Sequence, residues 1–409
     1  MGYIQRRMSD DRLLIPGETC EQVARADQFA CIIDAAEYFM HVKAAMLRAQ
    51  HQIMLIGWDL DARMTFERGP KTLPGPNQLG AFLYWMLWKR PELEAYLLRS
   101  NLRLLPAFDS IWYGLTPVAV VNQISSKRMH FAVDGARPTG AVHHQKIVVV
   151  DDSVAFCGGL DLTVDRWDTS EHKHENRGRR TLGRSYGPRH EVGAAVDGEA
   201  ARALGDQARE RWETATGSSV APVEAKHAAW PGKLEPNLHS VDVAIVRTLP
   251  ELDDRDEVRE VEALNLAAIA GARRTIYLEN QYLAARRLVD ALASRLKEQD
   301  GPEIVIVLPR RGKNRLERET MDGARHRLIQ VLWAANEHDR LGIYYPVTGP
   351  KPPPRRITLS YDVIVAARDV WVLASGQGKQ AALRHQIPRG RSLKHRLWHG
   401  RLRDQIHGR

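Results

Sequence analysis

The residues best suited to chemistry are His144 and Lys146, which stand two apart just before four consecutive β-branched residues, 147–150. Such a run, bounded by charge, predicts a short, fully buried strand. In an extended segment a spacing of two puts both side chains on one face. A histidine beside a lysine suits chemistry on a phosphate. Imidazole can attack phosphorus or shuttle a proton near neutral pH, and the ammonium neutralises phosphate oxygens. The pattern continues through Asp151 to give His-x-Lys-x4-Asp, and a second short apolar run ends in Gly158 and Gly159. Paired glycines let a ligand approach the backbone and expose N–H groups to an anion. The plainer reading, a buried strand with a hydrogen-bonded histidine at its start, leaves the lysine, the glycines and the spacing unexplained.

The elements that must hold these groups alternate between helix and strand. Apolar spacing predicts helices over 29–50, 80–90, 91–99, 198–214, 257–273, 288–297 and 316–337. It predicts strands over 53–61, 102–106, 118–123, 129–133, 190–196, 241–247, 276–282, 304–308 and 341–347. Pro91 is placed in the first turn of its helix, Trp85 and Trp88 in the core, and 169–187 in a charged surface loop. Asp59 and Asp61 could hold a metal, but they read more simply as a strand end or turn cap, because no His or Cys partner has suitable spacing. Segment 217–236 concentrates Ser, Pro and Gly and reads as a linker. Beyond it the order repeats: "IMLIGWDLD" and "IYLENQYL" each follow an Ala-rich helix. Alternating strands and helices imply α/β layers with a mixed sheet in each half.

Composition bounds the rest. The chain has 409 residues, 44% of them apolar, and a net charge of +9. Residues 379–409 hold nine Lys or Arg against one acid, a charge of +8, so the first 378 carry about 9 − 8 = +1. The body is near neutral, and a basic nucleic-acid groove does not follow from the pI. Cys20, Cys31 and Cys157 form no CxxC and no metal spacing; an odd count in apolar contexts predicts reduced, buried thiols and a cytoplasmic setting. Residues 1–12 have no apolar signal core, and no apolar run approaches a membrane span, so any membrane contact is expected to be peripheral.

His144-Gln145-Lys146, Asp151 and Gly158-Gly159-Leu160-Asp161, with Arg166-Trp167-Asp168 downstream, resemble the HKD signature of the phospholipase D superfamily, and the block looks like the first motif of the true phospholipases D. Glu279-Asn280-Gln281-Tyr282 resembles that family's second-half "ENQY". The resemblance covers about residues 29–348. It implies two α/β halves packed face to face as a pseudo-dimer, each supplying one motif. The corresponding layout is an extension over 1–28, a first half over 29–216, a linker over 217–240, a second half over 241–378 and a basic tail over 379–409. It also implies a phosphohistidine mechanism on phospholipids without metal or cofactor. His144 is then nucleophile, Lys146 phosphate clamp and Asp151 a holder of local structure, while Glu191 orients His144. Gly158 and Gly159 shape the phosphate side, and His143 is structural.

The second motif departs from the family. Aligned on the repeat, Ser360 stands where His is expected, Asp362 where Lys is expected and Ala367 where Asp is expected. The likeness stops near Thr348. Decay of the half, a diverged extension and a frame slip in the gene each account for that. The general acid is then missing from its expected place, with His385, His395, His399 and His407 of the tail as weak substitutes. The expected function is a phospholipase D-like phosphodiesterase with reduced or absent turnover. The rivals are a silent phospholipid- or phosphate-binding homologue and, less favoured, an HKD nuclease.

Overall fold

The computed structural model describes residues 13–100, 112–113, 116–117, 127–136, 138, 143–181, 183–224, 227–252, 255–309, 323–348 and 355–357. Its centre is a mixed sheet built on two strands with no exposed residue, β2 (Gln52–Gly57) and β5 (Ile147–Val150). Near-continuous apolar sequence is what a strand covered on both faces requires. The other strands are β1 (Gln22–Ile33), β3 (Glu94–Ser100), β4 (Met129–Asp134), β6 (Val154–Gly158), β7 (Val192–Asp197) and β8 (Leu238–Ile245). They lie in the order β8-β1-β7-β6-β5-β2-β3-β4. The pairs β2–β3 and β3–β4 are parallel, and the remaining neighbours are antiparallel.

Helices pack on both faces. Helix α1 (Ala35–Met46) and α2 (Leu79–Lys89) bury Tyr38, Phe39, Val42 and Phe82 against Leu55, Val148 and Phe156. Helix α3 (Gly198–Thr216) buries Ala200, Leu204, Ala208 and Trp212 against Met54, Ile147 and Val149. Successive residues of β5 thus feed opposite layers, as period-two alternation demands. Helix α3 ends at Gly217 in the left-handed region (φ 72°), its N–H donating to Glu213 O.

A second unit has its own core. Strands β9 (Thr275–Glu279), β10 (Glu303–Val307) and β11 (Leu341–Tyr344) form a parallel sheet. It packs with α4 (Glu260–Gly271), α5 (Arg286–Lys297) and α6 (Gly323–Ala334) around Val289, Leu292, Ile304 and Leu332. The expected α/β class is what the structure has.

Several expectations are corrected. Residues 29–33 are the end of β1 and not helix, because all five pair with β7 and Phe29 also pairs with β8. Residues 94–99 are strand, since alternating burial and parallel pairing to β2 and β4 outweigh the helical start at Pro91. Strand β8, expected in the second half, pairs with β1 in the first sheet. Trp88 is 77% exposed, while Trp85 packs partly on the core. Only Cys20 is fully buried; Cys31 is exposed on the outward face of β1 and Cys157 is half-buried. Arg179, in the predicted surface loop, is buried against Asp168. The strands expected at 102–106 and 118–123, the start of the 316–337 helix and the whole of 358–409 lie outside the described residues.

The first core contains a charge. The Lys43 ammonium is fully buried between the rings of Phe66 and Phe82 and pairs with Glu67 at 3.2 Å. Burial pushes the Glu67 carboxyl up, but donors from Thr72 and Lys43 outweigh it and hold it below its usual range. Glu67→Gln should cost about 3–5 kcal/mol by leaving the ammonium unpaired. The urea midpoint measures this; a loss under about 1 kcal/mol would mean that the ammonium reaches water.

Candidate active site

His144 and Lys146 stand at the mouth of β5, which β2 and β6 clamp on either side. Their side chains have different surroundings. Lys146 is 4% exposed; its Nζ donates to His144 O at 3.0 Å and pairs with Asp161 Oδ2 at 3.3 Å. His144 is exposed, its ring 5.9 Å from that of Trp58. The ammonium is thus fixed and the imidazole is open to a partner. Burial of Lys146 and Asp161 pulls the ammonium pKa down and the carboxyl pKa up, each partly offset by the other. Asp161 Oδ1 also accepts from the N–H groups of Trp58 (2.9 Å) and Asp59 (3.2 Å).

Charges of both signs surround the ring. Its partial desolvation lowers the His144 pKa, and Lys146 and Arg166 lower it further against the pull of Asp161. Burial and then Arg166 lower that of Arg189, against the pull of Glu191 and Asp165. A cleft of about 310 Å³ opens beside the motif, lined by His144, Lys146, Cys157, Gly158, Gln207 and Arg247. The Arg247 guanidinium is held at 2.8 Å by Glu21 and by Glu260.

The other motif residues serve the frame. The Asp151 carboxylate is fully buried and accepts from Gln50 N (2.6 Å), His51 N (2.9 Å) and Gln52 N (2.6 Å). His143 is buried against Ala136 O at 3.0 Å and Asp134 at 3.5 Å. A Cβ on Gly158 would lie 2.6 Å from Gly193 Cα, and one on Gly159 would lie 2.5 Å from Glu191 Oε2. The glycines therefore admit β7 and the Glu191 carboxylate. The Gly159 N–H, read from the sequence as open to an anion, donates to Val192 O at 3.0 Å. Glu191 stands just before β7 and raises the Lys146 pKa. Asp59 and Asp61, the alternative metal pair, are taken by Thr163 (2.8 Å) and by Arg63 (2.6 Å). Asp161 and Arg166 lie within the HKD block, and their sequence positions alone assign them no role. Trp58 and Arg247 carried no sequence signal beyond their type.

Residues 113–287 match the sequence model of a family described as Phospholipase D. Over that span the chain matches the phospholipase D superfamily. Phospholipase D1 of Rattus norvegicus is 30% identical over 172 residues, 38% of this chain and 14% of that protein. Phospholipase D2 of Bos taurus is 29% identical over 170 residues, 39% of this chain and 17% of that protein. The chain thus spans a small part of the length of those relatives. A phosphatidylserine synthase from Haemophilus influenzae Rd KW20 shares the fold, with a TM-score of 0.51 at 11% identity over 81% of this chain and 76% of that one. The chain carries a second match: residues 332–394 fit a model described as Glucosamine-6-phosphate isomerases/6-phosphogluconolactonase. That span includes Ser360, Asp362 and Ala367. No described helix is long and apolar enough to cross a membrane.

Proposed function

We propose that this chain is a phospholipase D-like phosphodiesterase acting on glycerophospholipids, with His144 as nucleophile. The observation that carries the reading is an exposed imidazole beside a buried, Asp161-fixed ammonium. A phosphodiester offers phosphorus to the imidazole and its anionic oxygens to the cations. A ring nitrogen of His144 attacks phosphorus, the P–O bond to the alcohol breaks, and a phosphohistidine forms while a general acid protonates the leaving oxygen. Water or a second alcohol then attacks phosphorus, loses its proton to that same group and releases the imidazole. Lys146 and Arg166 stabilise the equatorial oxygens, and Glu191 orients the imidazole. The general acid is the weak point. Ser360 stands at its aligned position, and that alignment competes with the second family match. The contact with membrane is peripheral, with the basic segment 379–409 drawn to anionic lipid. Headgroup release from phosphatidylcholine vesicles tests the reading. Release that persists in His144→Ala would overturn it, and anionic-lipid binding without release would favour the silent homologue.

The site fixes a pH dependence. The attacking imidazole must be neutral and its pKa is lowered, so the acid limb of kcat/KM should lie below the usual imidazole value of about 6.5. Asp161 raises that pKa and Arg166 lowers it. Asp161→Asn should therefore move the limb to lower pH and Arg166→Gln to higher pH. A pH–rate profile on a soluble phosphodiester reads both; movement of the two limbs in the same direction would assign the limb to another group.

A further inference from the structure

Three groups beside the site take no part in that chemistry. Asp34 joins β1 to α1 in the left-handed region (φ 67°), and its N–H donates to Glu191 O at 2.8 Å. His172 lies in the loop after Asp168, and His190 just precedes Glu191. One donor atom from each of the three lies within 4.8 Å of the others.

The local hydrogen bonding leaves one buried acceptor of this cluster unused. Asp34 is 1% exposed and its Oδ2 accepts no hydrogen bond. His172 Nε2 lies 3.2 Å from it but is not aligned as a donor to it. The other ring nitrogen of His172, Nδ1, faces Asp168 Oδ2 at 3.3 Å. A neutral ring that donates from Nδ1 to Asp168 would present the lone pair of Nε2 toward Asp34. In that tautomer the lone pair and the Asp34 oxygen suit one shared cation. A proton would need an N–H aimed at Oδ2, whereas a metal ion can take both lone pairs from a point off the line joining them. His190 Nδ1 lies 3.0 Å from Asp34 Oδ1, and on releasing the proton shared there to an incoming ion it offers a third ligand.

The outer support for such an ion is already built. Asp168 is fully buried, and all its acceptor positions are directed. Oδ1 takes Thr169 N and Arg179 Nη1, both at 2.9 Å; Oδ2 takes Arg189 N at 2.8 Å and the His172 ring. A carboxylate orienting a ligating imidazole through its far nitrogen is the usual second layer of a metal site. Two imidazoles and one carboxylate suit a borderline divalent ion.

We propose that Asp34, His172 and His190 bind one divalent transition-metal ion of the zinc class, with its remaining position open beside the half-exposed His190. The ion has no place in phosphoryl transfer. It ties the β1–α1 junction and the 169–172 loop to the lead-in of β7, which carries Glu191. The test uses the full chain, saturated with zinc and freed of loose metal by gel filtration, with metal content read by mass spectrometry and the thermal midpoint followed in parallel. About one zinc per chain is expected, together with a zinc-dependent rise of the midpoint. Both should be lost in His190→Ala, retained in His239→Ala (an exposed histidine of β8), and weakened about 10–100-fold in affinity in Asp168→Asn. Because His190 is half-exposed, its variant should fold without metal. No retained zinc in the wild-type chain, or equal zinc in the wild type and in both His190→Ala and His172→Gln, would overturn the site.

Discussion

His144→Ala should lower turnover of an activated diester such as bis(p-nitrophenyl) phosphate by more than about 10³-fold, with no change in the urea midpoint. The two halves of this expectation have different origins. The imidazole is exposed and its one described ring neighbour is Trp58 at 5.9 Å, so truncation leaves no buried cavity. Its chemistry, by contrast, is that of the one imidazole among the described residues lining the cleft. The leaving group sharpens the test. A p-nitrophenolate departs without protonation, whereas choline and other alkoxides require a proton. A general acid is typically worth about 10²–10⁴-fold. A chain lacking one should turn over the aryl diester while its rate on phosphatidylcholine falls by that factor against an intact superfamily member. Equal competence on both substrates would show that a general acid is present. Undiminished aryl-diester turnover in His144→Ala would remove the histidine from the mechanism.

Asp151→Ala should do the reverse and act on stability. One buried carboxylate accepts three consecutive amides, Gln50 to Gln52, and fastens the end of β5 to the start of β2. Hydrogen bonds to a charged acceptor are worth about 1.5–3 kcal/mol each. The position is also left-handed (φ 51°), where Asp is tolerated better than Ala. Water can reach the Gln50 and His51 amides, so the expected loss is about 3–5 kcal/mol and less than the full sum. Asp151→Asn keeps one acceptor oxygen and the backbone preference, and should lose about half as much. Urea unfolding at constant m-value measures the loss. A stable Asp151→Ala chain with impaired turnover would instead make this carboxylate a participant in the reaction.

The motif was legible because its parts are local. The run 147–150 announces a strand by composition alone, and His144, Lys146 and Asp151 follow at fixed distances from it. What the sequence hid was non-local. Residues 29–33 carry a pattern that continues smoothly into α1, and only pairing with β7 and β8, 160 to 210 residues away, makes them strand. Residues 94–99 were misread in the same way, because Pro91 signals a helix start more loudly than Tyr96 and Leu98 signal a strand. Spacing suggested that His144 and Lys146 act side by side. Their division into an open imidazole and a buried ammonium comes from Asp161, which folds back from beyond β6. The direction of Glu191 onto Gly159 likewise depends on how β7 pairs with β6.

The pairing of β8 with β1 decides where this protein can be cut. A fragment ending at 216, the boundary expected from sequence for the first half, would strip Ala229 and Trp230 from the core and leave β1 with an unpaired edge. An unpaired edge of that length is a template for joining another copy. A shorter protein that stays monodisperse must run past Ile245, so the segment that reads as a tether is part of what seals the first half.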